Sequence, residues 1–184
     1  GQIRDALDYS RQKVVSIAAG VTFEMLAGYL RKASGEEPVL FRVIPNTAIS
    51  LGLSVTFVAE RGASQEDSEM LRALLSRLGE VLFVPEEMMV SGTALASCGI
   101  AYALKYIDAA MRGGEELGFS ERESLQVVMQ TMRGALSLLE TNGTLPQQEI
   151  DKVTTPGGIT LKGLAAMKEA GFDEAVTAGL KAGR

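Results

Sequence analysis

Thr154-Thr155-Pro156-Gly157-Gly158-Ile159-Thr160 has the residue types of a helix start able to hold an anion. The pattern predicts Thr155 as the N-cap through its hydroxyl and Pro156 at the first helical position, where no amide is needed. A helix N-terminus leaves its first backbone N–H groups unpaired, those of Gly157 and Gly158 among them. Glycine costs roughly 1 kcal/mol against alanine inside a helix, so a pair there asks for a reason. A carboxylate resting on bare backbone amides at the positive end of the helix dipole supplies one. Thr160 then places a hydroxyl about one turn further on. A tight loop-to-helix transition with no ligand is the other reading of the same residues.

Two absences narrow the chemistry. The 184 residues contain no His, which removes Ser-His-Asp and Cys-His catalysis and every His-dependent metal site. The single Cys, Cys98, allows no internal disulfide and fits a reducing cytoplasm. It lies in an apolar run of small residues, where a buried inert thiol is expected. No metal site is expected.

With 46% hydrophobic and 22% charged residues the chain is globular and able to bury a core. Trp is absent and aromatics are scarce, so that core must be aliphatic, with methionines filling gaps. A net charge of −5 without a basic run argues against nucleic acid and anionic membranes as partners. The longest uncharged windows, 43–59 and 88–104, read as too short for a membrane-spanning helix. The first residues show no basic-then-apolar leader pattern. A soluble protein is expected.

The elements that must position the glycine-rich segment follow from periodicity. The run 13–19 and the run Leu40 to Ile44 read as strands around a helix carrying Phe23, Leu26 and Leu30, the pattern of a parallel βαβ unit. Ser54 to Ala59 reads as another strand. Ser64 with Asp67 caps a helix with Leu71 and Leu75 on one side, and Val81 to Val84 makes a last strand. From Glu86 onward only helices are expected. Met88 to Met111 is rich in Gly, Ala and Ser and apolar most of the way round, so it is expected to be buried on several sides. Ser120 with Glu123 caps a helix whose stripe is Leu125, Val128, Met129, Met132, Leu136 and Leu139. Asn142-Gly143 breaks it, Pro146 opens a short helix, and Gly171 separates the last two. The expected fold is an α/β remnant of a Rossmann-type domain over 1–85, followed by an all-α dimerisation domain over 86–184. Neither part hides its apolar surface alone, and burial against a second copy is the simplest remedy.

Asp151-Lys152-Val153-Thr154-Thr155-Pro156-Gly157-Gly158-Ile159-Thr160 resembles the signature of the pyrroline-5-carboxylate reductases, which make proline by reducing a cyclic imine. Three more stretches resemble the same family in the same order: Val14 to Val21, Arg42-Val43-Ile44-Pro45-Asn46-Thr47, and Thr93-Ala94-Leu95 with Gly99 and Ala101-Tyr102. The resemblance implies substrate contacts from Val153, Thr155, Gly157, Gly158, Ile159 and Thr160. It gives Thr160 the catalytic place, as a proton relay or a group orienting the imine. It implies that Ile17, Ala18, Ala19, Pro45 and Asn46 border the nicotinamide of NADPH or NADH. Ordinary capping by Thr160 and ordinary strand-end packing by the loop residues are the alternatives. A homodimer, or a ring of dimers, is implied too.

Two departures stand out. The family's Leu-Ser-Gly-Ser-Gly-Pro-Ala run appears as Leu95-Ala96-Ser97-Cys98-Gly99-Ile100-Ala101. No strand–Gly-x-Gly-x-x-Gly–helix phosphate loop occurs either, since Gly113-Gly114 to Gly118 follows a helix. The chain therefore reads as the C-terminal two-thirds of such an enzyme. The rival reading is a non-catalytic helical dimerisation or binding module that keeps the family's shape.

Overall fold

In this computed structural model the described residues are 3–184; residues 1 and 2, within the α/β domain expected over 1–85, lie outside them. Four strands form one sheet in the order β1 (Val14–Ser16), β2 (Leu40–Ile44), β3 (Ser54–Arg61) and β4 (Gly79–Phe83). β1 and β2 are parallel across α1 (Phe23–Leu30), the expected strand–helix–strand unit. β3 and β4 are parallel across α2 (Gln65–Leu75), whose Ser64–Asp67 capping box is fully formed. Between these pairs, β3 runs antiparallel to β2, so the sheet is mixed and not wholly parallel. The cause is the short connection 45–53, which holds only a 3-10 turn at Thr47–Leu51 and cannot make a crossover.

The sheet is covered on both faces. Leu40 and Ile44 of β2 pack with Phe23, Leu30, Phe57 and Met89 on one side. Phe41 and Val43 pack with Val58, Leu71 and Val81 on the other. All five β2 residues are buried, which is why the strand reads as an unbroken apolar run with one charge, Arg42, inside it. Burial of each large apolar side chain contributes about 1.5–3 kcal/mol. Gly79 stands opposite Ser54 with φ +135°, and a Cβ there would lie 2.0 Å from the Ser54 carbonyl oxygen, so only glycine fits.

Beyond Pro85 the chain is helical, as expected. A 3-10 turn at Glu86–Met88 leads into α3 (Met89–Gly92), a π-helical stretch at Thr93–Cys98 and α4 (Gly99–Glu116). The Thr93 hydroxyl donates to the Met89 carbonyl at 2.7 Å, a back-bond of the kind that bends helices. Gly113 and Gly114 lie within α4 and do not interrupt it. The run Glu86–Glu116 is long and apolar enough by length and composition to cross a membrane, against the expectation that both uncharged windows are too short. The difference arises because helix 86–116 outruns the uncharged window and its many Ala, Gly and Ser residues carry little polarity. Cys98 is half-buried, not buried.

α5 (Glu121–Asn142) has its Ser120–Glu123 capping box and ends at Gly143, φ +60°. α6 (Pro146–Val153), α7 (Ile159–Glu169) and α8 (Phe172–Ala182) complete the chain. Two compact units result: one ends at Ile100 and includes Leu180–Arg184, and the other is Ala101–Gly179. Among the described residues of 101–179, only Ser124 is buried; no apolar side chain is. The α5 stripe is open, with Leu125 40%, Met129 38% and Leu136 56% exposed, and Leu104 of α4 is 59% exposed. The burial on several sides expected for the small-residue helix is not achieved within one chain.

Candidate active site

In the helical unit, the glycine-rich segment is a turn followed by a helix. The Thr154 hydroxyl donates to the Ile150 and Asp151 carbonyls at 3.0 and 3.2 Å, closing off α6. The Gly158 N–H then donates to the Thr155 carbonyl at 2.9 Å, with Pro156 and Gly157 in the centre of the turn. Gly157 has φ +74°, the left-handed second position of a type II turn, with proline at the first. α7 therefore begins at Ile159 with Gly158 as its N-cap and no side-chain cap. Thr155 does not cap the helix and Pro156 is not its first residue, because the Pro–Gly pair satisfies a turn before it can start a helix.

The two glycines thus have local reasons of their own. Gly157 needs its positive φ. A Cβ on Gly158 would stand 2.6 Å from the Thr155 hydroxyl oxygen and 3.0 Å from its carbonyl oxygen. The unpaired amides at the N-terminus of α7 are those of Ile159, Thr160 and Leu161, since Gly158 is engaged and Lys162 bonds back to the Gly158 carbonyl. Thr160 sits in the first turn itself, beside these amides, not a turn beyond. Its exposed hydroxyl makes no hydrogen bond among the described residues. Val153 and Ile159, 60% and 87% exposed, flank the segment, and Thr155 and Gly157 are exposed as well.

Three donors converge on one carboxylate just ahead of this segment. Lys152 Nζ at 2.6 Å, Thr144 Oγ1 at 2.5 Å and Asn142 Nδ2 at 3.1 Å all donate to Glu149 Oε1. They tie the end of α5 to α6. The Lys152 ammonium first, then the Thr144 and Asn142 donors, hold the Glu149 carboxyl down at about 2.

In the α/β unit, the loops after β1 and β2 lie at the same edge, because the two strands are parallel. Ile17, Ala18 and Ala19 are exposed, Ile17 at 76%. Asn46 is buried and structural in its bonds: Oδ1 accepts from the Ala48 N–H at 3.1 Å, and its own N–H donates to Ser54 Oγ at 3.2 Å. The Pro45 carbonyl accepts from Ser97 Oγ in the π stretch at 3.4 Å. The structure thus brings Ile17, Ala18 and Ala19 to one strand edge with Pro45 and Asn46, and keeps Val153, Thr155, Gly157, Gly158, Ile159 and Thr160 together in the other unit.

Residue-by-residue reading of the sequence missed Arg42 and Glu86. Arg42, 4% exposed, donates through Nη2 to the Ala19 carbonyl at 2.6 Å and through Nη1 to Glu86 Oε1 at 2.8 Å. Glu86 Oε1 also accepts from the Phe23 N–H at 2.7 Å. The available signal was a lone charge inside the apolar run Leu40–Ile44.

An α/β unit with a mixed sheet, followed by helices with an open apolar stripe, defines a fold built around a helical dimerisation domain. Residues 86–184 match the family described as pyrroline-5-carboxylate reductase dimerisation. The chain belongs to the pyrroline-5-carboxylate reductase family. Pyrroline-5-carboxylate reductase 1 of Dictyostelium discoideum is 36% identical over 97% of this chain and 35% of that protein. Pyrroline-5-carboxylate reductase 2 of Bacillus subtilis is 33% identical over 90% of this chain and 58% of its own length. The chain thus spans a third to three-fifths of these curated relatives. The Streptococcus pyogenes 1-pyrroline-5-carboxylate reductase structure matches with TM-score 0.86 at 27% identity, covering 99% of this chain and 70% of the other. The Plasmodium falciparum pyrroline carboxylate reductase, solved with NADP bound, has TM-score 0.88 at 24% identity, covering 99% and 71%, and supports the fold.

Proposed function

We propose that this chain is part of an NAD(P)H-dependent reductase converting 1-pyrroline-5-carboxylate to proline. The carrying observation is the start of α7, where three unpaired amides and the unbonded Thr160 hydroxyl lie side by side behind an exposed turn. Family membership supports reading this as a pocket and not as a bare turn. The amides of Ile159, Thr160 and Leu161 would hold the imino acid's carboxylate, aided by the helix dipole. Thr155, Gly157 and Gly158 would shape the approach, with Val153 and Ile159 beside it. The Thr160 hydroxyl would orient the imine nitrogen or pass it a proton.

The exposed Ile17–Ala19 backbone and the Pro45–Asn46 turn, at the carboxyl ends of two parallel strands, suit the nicotinamide end of a dinucleotide. The reduced nicotinamide supplies the hydride when bound. NADPH and NADH are both retained as candidates for the cofactor.

The assembly proposed is a homodimer, or a ring of dimers, with 86–184 as the dimerisation domain and 1–85 as the α/β domain. The open stripe of α5 and the apolar face of 86–116 would be covered by a second copy, with no membrane or nucleic acid involved. Cytoplasmic location is part of this reading. The test is turnover of 1-pyrroline-5-carboxylate with NADPH and with NADH by the intact protein carrying this chain. Absence of imine-dependent oxidation with either would overturn it.

A further inference from the structure

Arg42 is a buried charge in a strand whose other four residues are buried and apolar, and it carries a specific set of bonds. The loop Ile17–Gly20 is exposed throughout and has no apolar anchor. Among the described residues, its one hydrogen bond from outside 16–22 is the Arg42 Nη2 to Ala19 carbonyl bond of 2.6 Å. The same guanidinium holds Glu86, whose carboxylate takes the first amide of α1 at Phe23. One ion pair therefore pins the loop at Ala19 and again where α1 begins. Stability alone does not account for it, since apolar replacements of buried ion pairs are often neutral or stabilising. Arg42 Nε is buried without a partner, a further cost the strand accepts.

We infer that Arg42 is a positioning residue, with Glu86 as its support, that sets where the Ile17–Gly20 backbone lies for a nicotinamide. The cofactor half of this assignment rests on the reductase reading; the loop half does not. Arg42 acts through the loop and touches no reacting atom.

The variant that avoids a stranded charge is Arg42→Met/Glu86→Gln, compared with Glu86→Gln alone. In Glu86→Gln the amide oxygen still accepts from both Arg42 and Phe23, so it serves as the conservative control. Amide hydrogen exchange on the protein should show Val21 and Phe23, whose N–H groups donate to the Ala18 carbonyl and to Glu86, exchanging about tenfold faster or more in the double variant, with β2 and β3 unchanged. Unchanged loop exchange, or equal acceleration across β2 and β3, would overturn the assignment. Steady-state kinetics then read the cofactor half: KM for NADPH should rise about fivefold or more while KM for the imine stays within about twofold. Loosened exchange with an unchanged KM for NADPH would remove the role toward the cofactor. Absence of turnover in the intact wild-type protein carrying this chain would sink the reductase reading instead, and the exchange result would still decide whether Arg42 holds the loop.

Discussion

Gly114 of α4 meets Ser124 of α5 so closely that a Cβ on the glycine would stand 2.6 Å from the serine hydroxyl oxygen. Ser124 is buried, and its hydroxyl has no partner among the described residues. The contact is where α4 and α5 approach within the helical unit, and it depends on two small residues. Gly114→Ala should cost about 1–3 kcal/mol through overpacking, despite alanine's better helix propensity. Ser124→Ala should be neutral or stabilising by about 1 kcal/mol, because it removes an unsatisfied buried hydroxyl. Urea denaturation of both variants measures this; a stabilised Gly114→Ala would contradict the close approach.

The open apolar stripe leads to an assembly prediction. Burying it against a second copy should give a two-fold dimer with an interface of about 2,000 Å² or more, the range of obligate dimers. Leu136 is 56% exposed in the single chain. Placing a charge there, as Leu136→Asp, should shift light-scattering mass to the monomer at micromolar concentration. A wild-type protein that is already monomeric there would end the idea.

How much of this was legible in the sequence depended on whether the signal was local. The Ser64–Asp67 and Ser120–Glu123 capping boxes formed as read, because each needs only residues three apart. β2 emerged at Leu40–Ile44 as expected, since an apolar run closed by Pro45 leaves few choices. The direction of β3 was not legible, because it depends on how connection 45–53 turns and not on the strand's own residues. Thr155-Pro156-Gly157 fits a capped helix start and a type II turn equally well, and only the φ of Gly157 separates them. The role of Arg42 was invisible for another reason: its partners, Ala19 and Glu86, are 23 and 44 residues away.

The Glu149 knot makes acid sensitivity specific. Its carboxyl is held at about 2, below the ordinary 4.5 of a glutamate, so its contribution is fully present above about pH 4.5 and is lost as pH falls toward 2. Glu149→Gln should therefore lower the unfolding temperature at pH 6, with the gap from wild type closing as pH approaches 2. Thermal melts across that range check it. A gap that is the same at both ends would mean the ionised carboxylate adds nothing to the α5–α6 junction.

Cofactor affinity of this chain by itself should be poor. Much dinucleotide affinity comes from a pyrophosphate on a glycine-rich helix start, and these 184 residues contain no strand followed by Gly-x-Gly-x-x-Gly. Calorimetry with NADPH is expected to give a dissociation constant weaker than about 100 μM, less than about 5.5 kcal/mol of binding. A low-micromolar value would show that the loops after β1 and β2 hold the cofactor without such a motif.

Thr160 and Gly158 should fail in different ways, and the contrast tests the pocket. Thr160 offers an exposed, unbonded hydroxyl beside the free amides of α7. If that hydroxyl orients the imine or passes a proton, Thr160→Ala should lower kcat about 10²-fold, the low end for general acid–base help. Thr160→Ser keeps the hydroxyl and should keep most of the rate. The backbone amides survive in both variants, so KM for the imine should move less than kcat. Gly158→Ala instead drives a Cβ to 2.6 Å from the Thr155 hydroxyl and displaces the turn that presents those amides. Its main effect should be a raised KM, because ground-state and transition-state binding weaken together. An unchanged kcat/KM in Thr160→Ala would strip the hydroxyl of its catalytic role. A raised KM in Gly158→Ala would then still mark the α7 N-terminus as the carboxylate's seat.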